Sequence, residues 1–213
     1  MKSDGNFPQK LSTSLPQFSS AMSQSGWHGL LAEGGGAHIV QLYESPHELE
    51  DAIHVWLGAS LRRGGAALLL GPRHVGDALR APLEAAAPGA ERDARLLILD
   101  GDALLAEFVR DGVADTERFE RLVAPHLARV RAAAGGGEMR AWGALVDTLV
   151  KRGDREAARA LEEAWNRIIA AHGIKLLCSY ELRGGDEARA RLVHDVADTH
   201  THLHAPPRRD ARS

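Results

Sequence analysis

The chain has 213 residues, 44% hydrophobic and 26% charged, which fits one globular α/β domain rather than a disordered chain. A formal net charge of −3 gives no global electrostatic case for nucleic acid or an anionic membrane surface as partner. The single cysteine, Cys178, excludes an internal disulfide and fits a reducing compartment. No apolar run approaches the ~20 residues that span a bilayer, and the opening Met1-Lys2-Ser3-Asp4-Gly5 lacks the apolar core of a secretory signal, so the expectation is a cytoplasmic protein.

Residues 1–36 are rich in Ser, Gln and Gly and end in Gly34-Gly35-Gly36, a composition expected to form a flexible tail, with Trp27 and Leu30-Leu31 as groups able to dock. His38 to Tyr43 reads as the first strand. Ser45-Pro46-His47-Glu48 is a capping box with proline at the first helical position. The helix it opens carries Leu49, Ile53, Trp56, Leu57 and Leu61 at helical spacing and stops at Gly64-Gly65. Ala66 to Leu70 is continuously apolar, as in a strand covered on both faces. Arg95 to Leu99 is a third strand. Asp102 is expected to cap a short helix ending near Gly112, and Asp115 a longer one with Phe119, Leu122, Val123, Leu127 and Val130. A strand around Met139–Trp142 and a helix from about Ala144 to Val150 come next. A further helix begins at Gly153-Asp154, carries Ala158, Leu161, Trp165 and Ile168, and ends at Gly173. Ile174 to Tyr180 is a buried strand, Asp186 caps a last helix with Leu192, Val193 and Val196, and residues 205–213 form a second tail. Alternating strands and helices with apolar strands predict an α/β, mostly parallel central sheet with helices on both faces.

Gly71-Pro72-Arg73-His74-Val75-Gly76-Asp77-Ala78 follows the second strand with the glycine spacing of a phosphate-binding loop. That chemistry needs a lysine on the phosphates and a hydroxyl on magnesium, where this chain has Asp77 and Ala78. A tight strand-to-helix turn is the plainer reading. Asp100 and Asp102 end an apolar strand, where a metal-binding acid sits in such sheets, but both also suit a helix cap. His200, His202 and His204 are alternate residues, which face one way on a strand and so form a candidate zinc set; a polar tail needs no metal. Cys178 reads as core packing, and Trp56 and Trp165 lie on apolar helix faces. Trp142, beside Gly143, joins Tyr43 and Tyr180 at strand ends, where ligand crevices of open parallel sheets form. Glu162 and Glu163 point to different helix faces and make no acid/base pair.

Several segments resemble the MEDS domain, a sensory family named from methanogens, methylotrophs and a dichloromethane-responsive regulator. His38-Ile39-Val40-Gln41-Leu42-Tyr43 is similar to its first strand, and Leu57-Gly58-Ala59-Ser60-Leu61-Arg62-Arg63-Gly64-Gly65-Ala66 to its helix-glycine-strand segment. Asp102 to Gly112 with Asp115 to Phe119 looks like its third-strand exit. Leu161-Glu162-Glu163-Ala164-Trp165-Asn166 and Leu176-Leu177-Cys178-Ser179-Tyr180 are the most specific matches, and His200-Thr201-His202-Leu203 resembles its closing element. The likeness spans about Ala37 to His204 and implies a RecA-like or KaiC-like three-layer sandwich without ATPase chemistry. Where the family commonly reads Gly-Glu-Met, this chain has Gly143-Ala144-Leu145.

These readings give a non-catalytic sensory module that binds a small apolar or methylated ligand near Tyr43, Gly71, Asp100, Trp142, Gly143 and Tyr180. It would signal in trans to a histidine kinase or transcription regulator, with no cofactor expected and a homo-oligomer as an open possibility. The alternatives are a nucleotide-binding protein with a degenerate phosphate loop and a protein–protein adaptor.

Overall fold

The computed structural model describes residues 17–18, 24–182, 200 and 202–204. Among the described residues the elements run β1 (Gln17–Phe18), α1 (Gln24–Glu33), β2 (His38–Tyr43), α2 (Pro46–Arg62), β3 (Ala66–Gly71), α3 (Arg73–Ala86), β4 (Leu96–Asp100), α4 (Gly101–Phe108), β5 (Val109–Arg110), β6 (Val113–Ala114), α5 (Thr116–Ala133), β7 (Met139–Gly143), α6 (Leu145–Arg152), α7 (Arg155–His172), β8 (Lys175–Glu181) and β9 (His202–His204). Seven strands form one sheet in the order β1-β9-β2-β8-β7-β3-β4, every neighbouring pair parallel.

Strand parity divides the core in two, because successive side chains on a strand face opposite sides. Ile39, Leu69, Trp142 and Leu177 pack beneath α1, α2 and α3 with Trp27, Leu31, Trp56 and Leu79. Val40, Leu42, Leu68, Leu70, Cys178 and Tyr180 pack on the other face with Phe119, Leu127, Leu161 and Trp165 of α5 and α7. The result is the expected three-layer α/β sandwich with helices on both faces of a parallel sheet. Among the described residues no helix is long and apolar enough to cross a membrane.

Local signals behave as their chemistry requires. The Ser45 hydroxyl accepts from Glu48 N, while the Glu48 carboxylate accepts from Glu44 N, and Gly153 and Gly173 close α6 and α7 in the left-handed conformation. Two boundaries differ from expectation. Asp100, not Asp102, caps α4, its Oδ1 accepting from Asp102 N and Ala103 N at 3.1 and 3.2 Å. That helix ends at Phe108 rather than near Gly112, because Asp111 and Gly112, both at positive φ, turn the chain into the β5–β6 hairpin.

The segment read as a flexible tail contains α1 and the edge strand β1. Trp27 and Leu31 of α1 are 1% and 0% exposed, and the Trp27 ring stacks on His204 at 4.4 Å with an interplanar angle of 9°. The carboxyl end of α1 is held by cations. Arg140, fully buried, donates to Leu31 O (2.5 Å), Ala32 O (3.2 Å) and Trp56 O (3.1 Å), and Arg63 and Lys175 donate to Ala32 O and Gly34 O. Cations at a helix carboxyl terminus meet both its unpaired carbonyls and its dipole. The expected helix capped by Asp186 lies outside the described residues.

Candidate functional site

The six residues expected to line one crevice do not converge. Tyr180 faces α7, whereas Trp142, paired in register with Leu177, faces α2 and donates from Nε1 to Ser179 Oγ at 3.0 Å. Trp142 also lies against Gly71, where an added Cβ would come within 2.4 Å of its ring. Gly143 points to the α7 face, near Leu176 and Trp165. Asp100 is occupied as the α4 cap and as the partner of Arg73 at 2.8 Å, contacts that hold its carboxyl below the usual range. At the ends of β2 and β8, Tyr43 enters a network that sequence reasoning missed. Its hydroxyl lies 3.4 Å from Asp147 Oδ2, and Lys151 bridges Asp147 (2.6 Å) and Glu181 (2.8 Å). Burial, with the Asp147 charge adding, pushes the Tyr43 hydroxyl up to about 12. At these strand ends Tyr43, Asp147, Lys151 and Glu181 are tied together by polar contacts, and Gly71 is packed against Trp142.

The phosphate-loop spacing is also resolved. β3 ends at Gly71 and α3 begins at Arg73, so only Pro72 separates them, and Gly76, Asp77 and Ala78 lie inside the helix. Gly76 is required by packing, since a Cβ there would meet Ile98 at 2.7 Å. The turn is a single residue long, so the two glycines do not bracket a loop, and the amino end of α3 carries no side-chain cap.

A different set of polar side chains comes together inside the α7 face. His38 opens β2; Cys178 and Tyr180 lie two apart on β8 and share its parity; Glu162 and Asn166 lie four apart on α7, on one helical face; His200 precedes β9 by two residues. His38, Glu162, Cys178, Tyr180 and His200 are all buried. His38 Nδ1 donates to Asn166 Oδ1 at 2.8 Å, which leaves Nε2 facing Cys178 Sγ at 3.3 Å and Glu162 Oε2 at 3.4 Å. His200 Nε2 lies 3.6 Å from Glu162 Oε1, and the His38 and His200 rings approach to 4.1 Å. The Tyr180 hydroxyl donates to Glu162 Oε1, whereas Glu162 Oε2 accepts no hydrogen bond among the described residues. Burial raises the Glu162 carboxyl above its ordinary value against the opposing pull of His38. Burial likewise pushes the Cys178 thiol and the Tyr180 hydroxyl well up, the Glu162 charge adding to both.

Cys178 is packed in the core, as expected, and its thiol also meets polar partners. One expectation is corrected. The histidines His200, His202 and His204 do not act as one set, because only His202 and His204 belong to β9. His200 joins the α7 face, while His204 stacks on Trp27 beneath the opposite layer.

The model of the family described as "MEthanogen/methylotroph, DcmR Sensory domain" matches residues 37–201. The chain belongs to the MEDS family. As a member of a sensory family, this MEDS domain has a sensory or signalling role. No curated protein matches it. Among solved structures it is similar in fold to the uncharacterized protein PH0321 from Pyrococcus horikoshii, crystallised in complex with an unknown peptide. The TM-score is 0.52 and the identity 11%, over 79% of this chain and 80% of that one. The His38–Glu162–Cys178–His200 cluster falls wholly within the matched residues.

Proposed function

We propose that this MEDS domain is a non-catalytic sensory module of the cytoplasm that takes up a small apolar or methylated molecule and passes its bound state in trans to a histidine kinase or transcription regulator. The observation that carries this reading is the buried His38–Glu162–Cys178–Tyr180–His200 cluster. A carboxylate, a thiol and two imidazoles inside a core cost stability, and such groups are retained where they recognise something. The ligand class follows the methylotroph theme in the family's description and the apolar walls that Leu161, Trp165 and Leu176 contribute to the same face. This reading places the site at the cluster on the α7 face rather than at the strand ends.

Two features argue against catalysis. The Cys178 thiol is fully buried and pushed up, the opposite of the electropositive, accessible setting of a reactive cysteine. Against the nucleotide alternative stand the single-residue turn at Pro72 and the Asp77 and Ala78 that replace the lysine and hydroxyl. The output follows from connectivity: His200 lies two residues before β9, β9 carries β1, and His204 stacks on Trp27. A change at His200 is thereby passed to the sheet edge and to α1.

Thermal unfolding of the full chain against a panel of methylated and halogenated one- and two-carbon compounds tests the reading. One class is expected to raise Tm by roughly 5–11 °C at about 100 times its Kd, without turnover of the compound, and Glu162→Gln is expected to weaken the shift. A panel that leaves Tm unmoved, or a compound converted to product, overturns it.

A further inference from the structure

We infer that His38, Glu162, Cys178 and His200 form a four-ligand site for one zinc-class divalent metal ion. One donor atom from each of these residues lies within 4.8 Å of all the others. Three of the donor contacts measure 3.3 Å (His38 Nε2 to Cys178 Sγ), 3.4 Å (His38 Nε2 to Glu162 Oε2) and 3.6 Å (His200 Nε2 to Glu162 Oε1), the last two on different oxygens of the same carboxylate. Zinc bonds of about 2.0–2.3 Å to nitrogen, oxygen and sulfur give edges of roughly 3.3–3.6 Å. In the metal-free chain the His38–Cys178 contact is a hydrogen bond, the thiol donating to Nε2. With Nδ1–H given to Asn166, a neutral His38 turns its Nε2 lone pair on the thiol sulfur and on Glu162 Oε2, the carboxylate oxygen that accepts no hydrogen bond among the described residues. A cation at their centre displaces the thiol proton and takes the sulfur, nitrogen and oxygen lone pairs as ligands.

The surroundings match what a metal site requires. Ligating histidines hold their second nitrogen to a fixed acceptor, and ligating carboxylates are themselves hydrogen-bonded. Asn166 does the first for His38, and Tyr180 does the second for Glu162. The donor set of two imidazoles, one thiolate and one carboxylate selects zinc or another late first-row ion over magnesium or calcium, which prefer all-oxygen shells. Thiolate and carboxylate together carry two negative charges, so a divalent ion leaves the buried site neutral. All four positions are filled by protein, the pattern of closed structural sites rather than of hydrolytic centres, which keep one position for water. The ligands come from β2, α7, β8 and the lead into β9, so the ion ties the terminal edge strand to the core. Binding releases the Cys178 thiol proton to solvent.

The inference stands on the donor geometry and shares His38, Glu162, Cys178 and His200 with the small-molecule reading; a metal-free chain that still answers the compound panel sinks this inference alone. The test is titration of the chelator-stripped full chain with cobalt(II), followed by zinc. Saturation at one equivalent is expected, with the intense visible absorption of a tetrahedral ion and a near-ultraviolet thiolate charge-transfer band. Zinc should displace both, and Tm should rise by roughly 8–16 °C at free metal about 1,000 times Kd. Cys178→Ser is expected to abolish the charge-transfer band, and His47→Ala, an exposed histidine on α2, to change nothing. A folded wild-type chain that gives only the weak spectrum of the aqua ion, or that binds less than a tenth of an equivalent, overturns the inference without any variant having to fold.

Discussion

Replacement of Trp27 by alanine tests whether α1 belongs to the domain. An isolated helix of ten residues is not stable in water, so its presence depends on docking, and Trp27 is its largest anchor. The side chain is 1% exposed and face-to-face with His204. Full burial of a tryptophan removes about 150–250 Å² from water, and truncation of such a residue costs about 3–5 kcal/mol. Against this, Trp27 Nε1 is buried with no hydrogen-bond partner among the described residues. Removing that unsatisfied donor returns about 1–3 kcal/mol, so the net loss should be roughly 2 kcal/mol. Trp27→Phe keeps a ring over His204 and removes the orphaned donor, and should cost less than about 1 kcal/mol. Equilibrium urea unfolding measures both values. Amide exchange should show residues 24–33 losing protection in the alanine variant while α2 keeps its own. A loss below about 0.5 kcal/mol for alanine, or equal losses for alanine and phenylalanine, refutes the docking and the stack respectively.

Other outcomes follow from the same contacts. Gly71→Ala sets a methyl 2.4 Å from the Trp142 ring and should cost about 1–3 kcal/mol by overpacking, measured by urea unfolding; a neutral result would mean the strand end is open. Tyr43 titrates near 10 when unfolded and at about 12 in the fold. A raised folded value means stability is full below pH 10 and is lost as pH rises towards 12, at up to about 1.4 kcal/mol per pH unit for one proton; Tyr43→Phe should flatten that alkaline limb of the urea midpoint. Arg140→Ala strips the carboxyl end of α1 of its buried donor and leaves Glu138 with one cation fewer, a loss of about 3–5 kcal/mol that calorimetry should register as a lower Tm.

The layered architecture was legible because the strands are short apolar runs and the helices carry punctuation with one physical meaning, such as Ser45-Pro46 and the glycines at 153 and 173. The site was not legible, because its members meet only through strand order and register. Nothing in the sequence says that β8 inserts between β2 and β7, yet that insertion brings His38 beside Cys178, 140 residues away. Register likewise decides that Trp142 faces away from Tyr180. Alternation was a sound rule for the terminal histidines but was applied past the end of the strand, since His200 precedes β9. α1 was hidden by composition: two buried anchors in a Ser- and Gly-rich stretch cannot outweigh its ordering entropy, and the compensating donors, Arg63, Arg140 and Lys175, come from distant segments. The best available pointer was the concentration of the MEDS resemblance in Leu161–Asn166 and Leu176–Tyr180, the segments that supply Glu162, Asn166, Cys178 and Tyr180.

The central claim, that this MEDS domain senses a small molecule at the buried cluster of the α7 face, is tested most directly by native mass spectrometry of the freshly purified chain and its Glu162→Gln variant, each with the panel compounds added. The account predicts one small organic mass per chain, resolved from any metal adduct, retained by the wild type and lost or weakened in the variant. A wild-type chain that takes up no organic mass, or a variant that holds it equally well, contradicts the account.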